Sequence, residues 1–230
     1  MKAERNILGI IPARGNSKRI PRKNIARLDG RPLIFYTIRE ALRSRYLDRV
    51  VVSSEDKEII GMSRRYGAGV IKRPGRLARD RTPTEPVLLH ALEYLKRREG
   101  YLPDIVVLLQ ATSPLRGAKI IDGCIERFIK SGADSLLTVC EDRAYRWRLQ
   151  NKRIKPLYDI NKRRRSQDVM PLYKENGAVY ITRRETLVEH GNRLWGKIDF
   201  FVMDEKDSIE IDHKADLLLA EQVLRSKKKI

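Results

Sequence analysis

The sequence predicts a single α/β domain built on a mostly parallel, doubly wound β-sheet. Short apolar runs typical of buried strands recur along the chain, and amphipathic stretches with helical spacing lie between them. Strands that alternate with helices favour parallel βαβ units. With 230 residues, of which 41% are hydrophobic, the chain is long enough for one well-buried domain. No repeat, linker or low-complexity tract divides it, so residues 1–230 are treated as one unit.

Each predicted element has a local signal. The run DIVVLLQ is the clearest buried strand, Pro32 suits a first helical turn, and Gly67 ends a helix. The predicted strands are residues 7–13, 49–54, 70–72, 104–110, 134–140, 175–182 and 199–203. The predicted helices are residues 31–45, 56–67, 84–98, 119–130 and 213–226.

The composition limits the classes of function. No apolar run approaches the ~20 residues that a transmembrane helix needs. The first residues, MKAERNILG, lack the apolar core of a secretion signal, so a cytoplasmic location is expected. Cys124 and Cys140 have no Cys or His at metal-ligand spacing, and are expected to be buried free thiols.

The net charge of +19 is unusual for such a domain. A strongly basic chain raises nucleic-acid binding as an alternative, but no helix-turn-helix, zinc-finger or RRM signature accompanies the charge. Anionic substrates are a second explanation, and a thermophile's charge-rich composition is a third. Between Arg143 and Arg165 lie ten Lys or Arg residues and one acid, Asp159.

The basic loop, residues 14–24, directly follows the first predicted strand. It carries five cations, and Gly15, Asn16 and Ser17 allow its backbone to curl. Amide groups and cations in one curled segment form a polyphosphate cradle, whereas the alternative is a solvated basic loop. The position favours the cradle, because open α/β sheets bind ligands at the carboxyl ends of their strands. Neither a P-loop nor a G-x-G-x-x-G fingerprint is present.

The pattern P-A-R-x-x-S-x-x-x-P-x-K-N in this segment resembles the CTP-binding loop of the acylneuraminate cytidylyltransferases, or CMP-sialic acid synthetases. The resemblance implies a fold of the nucleotide-diphospho-sugar transferase type. It also implies transfer of CMP from CTP to an acidic nine-carbon (nonulosonic) sugar, N-acetylneuraminate or a related sialic acid, with release of pyrophosphate. By this resemblance Arg14, Lys23 and Asp212 are catalytic. Arg14 and Lys23 neutralise phosphates, with Lys18 and Arg19 supplementing them. The implied nucleotide-binding residues of this segment are Ala13, Arg14, Asn16, Ser17, Lys18, Lys23 and Asn24.

Two later motifs are similar to the nucleotide-binding segments of the same family. In RPGRLARDRTPT, Arg73 is expected at the base and Thr84 at the ribose or base edge, while Asp80 stabilises the loop. In QATSPLR, at the end of the strongest strand, Gln110 is expected to contact nucleotide and sugar. Thr112 and Ser113 are expected to be N-capping and turn residues for the following helix.

The stretch RSQDVMPLYKENGAVYI resembles the family's R-x-Q-D-x-P motif followed by an N-G-A-[IV]-Y strand. The implied sugar-binding residues are Gln110, Arg165, Gln167, Asn176 and Tyr180. A turn followed by a core strand also explains NGAVYI, and the two interpretations are compatible.

The motif DSIEID supplies two carboxylates, Glu210 and Asp212, which share one face if the segment is a strand. Hard carboxylates beside a triphosphate predict a Mg²⁺ (or Mn²⁺) site. Asp212 is the stronger candidate because the family more often shows D-x-D. A solvated edge, or an N-cap role for Asp212, is the alternative.

The arm, residues 142–174, is too basic for a core and too aromatic for a plain linker. In the family this region leaves the main domain and packs against a second subunit, so the resemblance implies a dimerisation arm and a homodimer. The three histidines show no pairing that identifies a general base. The alternative within the enzyme class is a sister enzyme acting on pseudaminate, legionaminate or ketodeoxyoctulosonate, or using GTP. No nucleic acid or membrane partner is expected.

Overall fold

Seven strands form the central sheet of this chain, in the order β11-β7-β10-β6-β1-β4-β5. The architecture is that of a computed structural model, which describes residues 5–163 and 165–227. Arg164, within the predicted arm, and residues 1–4 and 228–230 lie outside the described part. The strands are β1 Ile7–Pro12, β2 Arg27–Leu28, β3 Arg31–Pro32, β4 Arg49–Ser54, β5 Gly69–Lys72, β6 Ile105–Leu109, β7 Ser135–Asp142, β8 Trp147–Gln150, β9 Arg153–Pro156, β10 Leu172–Arg183 and β11 Ile198–Met203.

Helices cover both faces of this sheet, as the predicted doubly wound arrangement requires. They are α1 Leu33–Leu42, α2 Lys57–Arg65, α3 Glu85–Glu99, α4 Ala118–Ser131, α5 Arg184–His190 and α6 Lys214–Lys227. Apolar side chains of α1, α2 and α4 bury one face of the sheet, and those of α3 and α5 bury the other. Helix α6 joins a third apolar cluster with β2 and α1.

Strand direction confirms a mostly parallel sheet with one exception. Strand β10 runs antiparallel to both of its neighbours, β6 and β7, whereas the other adjacent pairs of this sheet are parallel. The reversal follows from the connection, because the chain leaves β7 into the arm and returns beside it without a crossover helix. The carboxyl ends of β1, β4, β5 and β6 therefore share one edge of the sheet.

The arm contains a β-hairpin, β8–β9, which the sequence analysis did not predict. Its turn places Asn151 and Lys152 at positive φ, as a tight two-residue hairpin turn requires. Tyr145, Trp147 and Tyr158 pack on one another at the base of the arm. Leu149 and Ile154 are opposite one another in the hairpin and are 72% and 66% exposed. The hairpin thus presents apolar side chains to solvent.

Helix α5 was also not predicted, because it follows β10 without a break and is only 7 residues long. Cys124 and Cys140 are buried and free, as expected. Within residues 5–163 and 165–227, none of the helices combines the length and apolar character needed to cross a membrane.

Candidate functional site

A cavity of about 320 Å³ opens at the shared carboxyl edge of the sheet. Its walls come from the basic loop, the loops after β5 and β6, and the segment 208–213 that precedes α6. Nine of the sequence-predicted site residues line it, although they are far apart in sequence. These are Arg14, Ser17, Lys23, Asn24, Arg73, Thr84, Gln110, Glu210 and Asp212.

Two cations of the basic loop converge on Asp212. Lys23 donates from Nζ to Asp212 Oδ1 at 3.0 Å and to the Ile211 carbonyl at 2.8 Å. The Arg19 guanidinium lies 2.6 Å from the other carboxylate oxygen of Asp212. Burial opposes ionisation of this carboxyl, but Lys23 and Arg19 outweigh burial and lower the pKa of Asp212. Asp212 is therefore an anion that fixes the end of the basic loop.

Two further cations of the loop converge on Asp80, in the loop after β5, while the fifth, Arg22, pairs with Asp56 and Glu58. Arg14 lies 3.2 Å from one oxygen of Asp80, and Lys18 lies 3.1 Å from the other. All three side chains are substantially exposed, at 35%, 79% and 39% for Arg14, Lys18 and Asp80. Asp80 thus connects the two loops across the cavity mouth, consistent with the stabilising role expected for it.

Glu210 lies deeper than Asp212, beside the end of β6. The Thr112 hydroxyl donates to Gln110 Oε1 at 3.2 Å and lies 3.4 Å from Glu210 Oε1. Burial, followed by the charge of Asp212, raises the pKa of the Glu210 carboxyl. Gly177 lies beside both side chains, and its φ of +68° favours glycine, although a Cβ there would only be in ordinary contact with Gln110 and Glu210, at 3.4 and 3.5 Å. The two acids and Gln110 thus meet at one corner of the cavity.

Glu210 and Asp212 reach the cavity from irregular backbone, so the strand considered for the motif DSIEID is not formed. The Ile211 amide donates to the Thr112 carbonyl at 2.7 Å, and the Ile211 carbonyl accepts from Lys23. These bonds hold the segment against two loops rather than against a strand. Asp212 does not cap α6; the Asp216 carboxylate accepts from the amides of residues 212 and 213.

The predicted capping role of Thr112 and Ser113 is also wrong. Gly117 occupies the N-cap position of α4 and makes no side-chain cap hydrogen bond. Thr112 instead orients Gln110 and contacts Glu210, while Ser113 is buried. The four residues between Ser113 and α4 keep both hydroxyls away from the helix.

The other predicted nucleotide-binding residues in and next to the basic loop have distinct positions. Asn24 lines the cavity and donates from Nδ2 to the Arg14 carbonyl at 2.8 Å, which closes the loop on itself. Ala13 is fully buried in the core, and its amide donates to the Ser53 carbonyl of β4. Asn16 and Lys18 do not line the cavity.

The predicted sugar-binding residues are less gathered. Asn176 and Tyr180 are buried, and their polar groups bond within the protein: the Asn176 amide donates to Ser208 Oγ at 2.9 Å, and the Tyr180 hydroxyl bonds to Glu175. Arg165 and Gln167 are exposed in the arm, where Arg165 pairs with Asp168. Of this set, Gln110 lines the cavity.

Two buried arginines support the cavity. Arg73 is buried and pairs with Glu55, a residue that the sequence analysis missed although it directly follows the strand RVVVSS. Arg116 is fully buried, and its Nη1 donates to the carbonyls of Gln110 and Ala178 at 3.2 and 2.6 Å. Burial lowers the pKa of Arg116 to about 10. Arg116 thus ties β6 to β10 where Gln110 enters the cavity.

A divalent cation fits the donors at the corner of the cavity. Glu210 and Asp212 provide hard oxygen ligands, the kind that Mg²⁺ prefers. Within the described parts of the chain, no three His, Cys, Asp or Glu side chains form a metal-binding group. Two carboxylates suit Mg²⁺ when substrate phosphates and water complete its shell.

Comparisons with known proteins identify the family to which this chain is similar. The family model described as "Cytidylyltransferase" matches residues 8–217. A pseudaminic acid cytidylyltransferase from Campylobacter jejuni subsp. jejuni serotype O:2 is 35% identical over 219 residues, covering 93% of this chain and 94% of the relative. An N-acylneuraminate cytidylyltransferase A from Danio rerio is 34% identical, covering 97% of this chain and 52% of that protein.

Among solved structures, CMP:2-keto-3-deoxy-manno-octonic acid synthetase complexed with CTP has a TM-score of 0.71 to this chain. The match covers 96% of this chain and 99% of the other, at 17% sequence identity. At that identity the match supports the fold alone.

Proposed function

The chain belongs to the cytidylyltransferase family, and we propose that it transfers CMP from CTP to an acidic nonulosonic sugar and releases pyrophosphate. One observation carries this proposal: a single cavity joins the basic loop, Arg73, Gln110 and the two carboxylates of the segment 208–213. A cationic wall suits a triphosphate, and a carboxylate pair at its edge suits the metal that accompanies a triphosphate.

The proposed reaction is an in-line displacement at the α-phosphorus. A bond forms between the anomeric hydroxyl oxygen of the sugar and that phosphorus, the bond to the bridging oxygen of pyrophosphate breaks, and the hydroxyl proton is lost. Such a reaction depends on positioning and charge neutralisation. We assign charge neutralisation to Arg14 and Lys23, and positioning of the loop to Asn24.

Asp212, together with Glu210, would hold Mg²⁺ or Mn²⁺. When bound, the ion neutralises charge on phosphate oxygens. Lys23 and Arg19 keep Asp212 ionised, the form in which a carboxylate binds metal. Lys23 therefore has a second proposed role beside its contact with phosphate.

The base and ribose are assigned to the other end of the cavity. Arg73 and Thr84 line that end, together with apolar side chains of Leu77 and Val87. A buried guanidinium next to apolar walls can donate hydrogen bonds to base-edge acceptors in a partly dehydrated setting. Gln110, at the carboxyl edge of β6, lines the same cavity and shares the Thr112 hydroxyl with Glu210.

Pseudaminic acid and N-acetylneuraminate are the two sugars to test first. The relative named for pseudaminic acid matches over almost the whole of both chains, which supports pseudaminic acid. The relative named for N-acylneuraminate is nearly as similar over this chain and supports the second candidate. The residues assigned to the sugar are Gln110, Arg165, Gln167, Asn176 and Tyr180.

We include a homodimer formed through the arm in this proposal. Leu149, Ile154 and Met170 are 72%, 66% and 89% exposed. Apolar side chains as exposed as these are typical of an interaction surface and not of an arm that contacts only solvent. Arg165 and Gln167 would then approach the sugar across the subunit boundary, which would account for their distance from the lining of the cavity in one subunit.

Pyrophosphate release measured over the four nucleoside triphosphates and a panel of nonulosonic acids tests the proposal. We expect release with CTP and one or more acidic nine-carbon sugars, and little with the other nucleotides. No release with any pair, or a clear preference for GTP, would overturn the assignment of CTP. A labelled oligonucleotide titrated against the same preparation serves as the control for non-specific attraction to the basic surface.

A further inference from the structure

Glu55 contacts two parts of the chain that line the cavity, the basic loop and Arg73. It lies directly after β4, between the basic loop and Arg73, and it contacts both. We propose that Glu55 is a positioning residue that sets the phosphate end and the base end of the nucleotide site together. This inference rests on the proposed binding of CTP.

Each carboxylate oxygen of Glu55 has its own partner. Oε1 accepts from the Gly15 amide at 2.7 Å, which fixes the backbone one residue after Arg14. Oε2 accepts from Nε of Arg73 at 3.0 Å and lies 2.9 Å from Nη2 of the same guanidinium. The carboxylate of Glu55 is thus a charged acceptor for the Gly15 amide and for the Arg73 guanidinium. Its contact with Arg73 is also an attraction between opposite charges.

The position of Gly15 leaves no room for a side chain. A Cβ built on Gly15 would lie 2.6 Å from Asp56 Oδ2, so the loop backbone is seated directly against the corner formed by residues 55 and 56. Asp56 itself is fixed, because its carboxylate caps α2 by accepting from the amides of residues 58 and 59. Glu55 therefore presents its carboxylate from a rigid element.

Glu55 is the counter-ion of the buried Arg73. The Arg73 side chain is 3% exposed, and burial lowers the pKa of its guanidinium, an effect that Glu55 opposes. Arg14 acts in the same direction as burial, since its positive charge also disfavours a charged Arg73. Glu55 thus places a negative charge beside Arg73, which lines the same cavity as Arg14.

The consequence for CTP follows from the two contacts. Arg14 is assigned to phosphate and Arg73 to the base. A substitution of Glu55 is expected to displace both side chains, although Glu55 itself does not line the cavity. A substitution of Arg73 affects only the contact with the base. Small displacements of positioning groups reduce rates strongly.

Calorimetry with three ligands tests the inference: CTP, cytidine and inorganic tripolyphosphate. We expect Glu55→Gln to weaken CTP by about tenfold or more, the loss expected for a charged hydrogen-bond partner, and to weaken cytidine and tripolyphosphate separately. Arg73→Met should weaken cytidine and leave tripolyphosphate nearly unchanged. In steady-state assays Glu55→Gln should raise the KM for CTP and leave the KM for the sugar unchanged.

Glu58→Gln is the matched control, because Glu58 is a half-exposed acid on α2 that pairs with Arg22 outside the cavity. If Glu55→Gln fails to fold because Arg73 is left without its counter-ion, the double variant Glu55→Gln/Arg73→Met removes that charge. In the double variant cytidine should bind as in Arg73→Met alone, and the loss for tripolyphosphate should persist.

Three outcomes would overturn the inference. They are Glu55→Gln that binds all three ligands like the wild type, a loss confined to cytidine or to tripolyphosphate, and an equal loss in Glu58→Gln. A wild-type chain that fails to bind CTP would instead overturn the proposed function, and the Glu55 inference with it.

Discussion

The basic loop and the arm carry the same kinds of cationic side chain, but the fold treats them differently. In the basic loop, cations pair with acids from distant parts of the chain; Lys23 and Asp212 are 189 residues apart. In the arm, the pairs of Arg146 and Arg165 join residues four and three positions apart. Distant pairs fix a loop relative to the sheet, whereas local pairs move with the segment that contains them.

This difference shows in which region the cationic side chains have defined positions. Asp80 and Asp212 each hold two cations of the basic loop, so four positive charges have fixed positions, and two of them, Arg14 and Lys23, line the cavity. The arm offers exposed cations such as Arg148 and Arg153 beside exposed apolar side chains. The first setting suits a small polyanion, and the second suits a larger surface.

Removal of a cavity cation is expected to have the largest effect. Lys23→Ala and Arg14→Ala should each lower kcat by about 10²-fold, the range seen when one preorganised charge donor is lost. Lys23 should be the more severe, because its side chain is only 13% exposed and also holds Asp212. Arg148→Ala, in the arm, is the matched control and should change CTP affinity less than about twofold.

Steady-state kinetics with a thermal unfolding curve for each variant decides this prediction. Unfolding temperatures close to that of the wild type would show that the effect is on the reaction. A normal kcat in Lys23→Ala would remove the triphosphate from the basic loop, and an Arg148→Ala defect in CTP binding would erase the contrast between the two regions.

The metal prediction concerns the acid end of the cavity. EDTA should abolish activity, and Mg²⁺ or Mn²⁺ should restore it, since hard ions suit carboxylates and phosphates. Asp212→Asn should lower kcat by about 10²-fold and Glu210→Gln by about tenfold, because loss of Asp212 also releases Lys23 and Arg19. Activation by Mg²⁺ measured for each variant is the assay; an unaffected Asp212→Asn enzyme would reduce Asp212 to an anchor of the basic loop.

The sequence was sufficient for the main sheet and for half of the residues that line the cavity. Apolar runs identified β1, β5 and β6, and motifs at their carboxyl ends identified Arg14, Arg73 and Gln110, because parallel strands bring their ends to one edge. Glu55 could have been found by the same rule, since it follows β4 directly. It was missed because a single acid after a strand has no motif of its own.

Other features depend on contacts that spacing does not encode. The segment with Glu210 and Asp212 alternates like a strand, yet its backbone bonds to Thr112 and Lys23 instead of to a neighbouring strand. The buried contacts of Arg116 with two carbonyls follow from how β6 and β10 meet. Tertiary hydrogen bonds decided both cases, and a local pattern could not.

The arm prediction comes next in size. We expect the double substitution Leu149→Ser/Ile154→Ser to weaken the dimer and raise the KM for the sugar about tenfold, because exposed apolar pairs at an interface act as anchors. Binding of CTP should be unchanged, since neither residue lines the cavity. Leu218→Ser on α6, where Leu218 is 66% exposed, is the matched control.

Light scattering at the assay concentration, with kinetics on the same sample, gives the result. A wild-type chain that is monomeric and fully active would remove both the interface and the shared sugar site. If Leu218→Ser dissociated the dimer instead, the interface would lie on α6 and not on the arm.

The smallest effect is expected at Asp80, where the contrast between the two regions is least. Asp80 has distant partners, as in the rest of the cavity, but its pairs with Arg14 and Lys18 are exposed, and exposed pairs contribute about 0–1 kcal/mol. A triphosphate must compete with the Asp80 carboxylate for both cations. Asp80→Asn should therefore tighten CTP binding by less than about fivefold, with the gain largest at low salt because exposed charges are screened. Calorimetric titration of CTP at two salt concentrations measures this, and Lys18→Ala, which removes a cation instead, should weaken binding under the same conditions. If Asp80→Asn weakened CTP binding instead, Asp80 would hold Arg14 in place, as Asp212 holds Lys23.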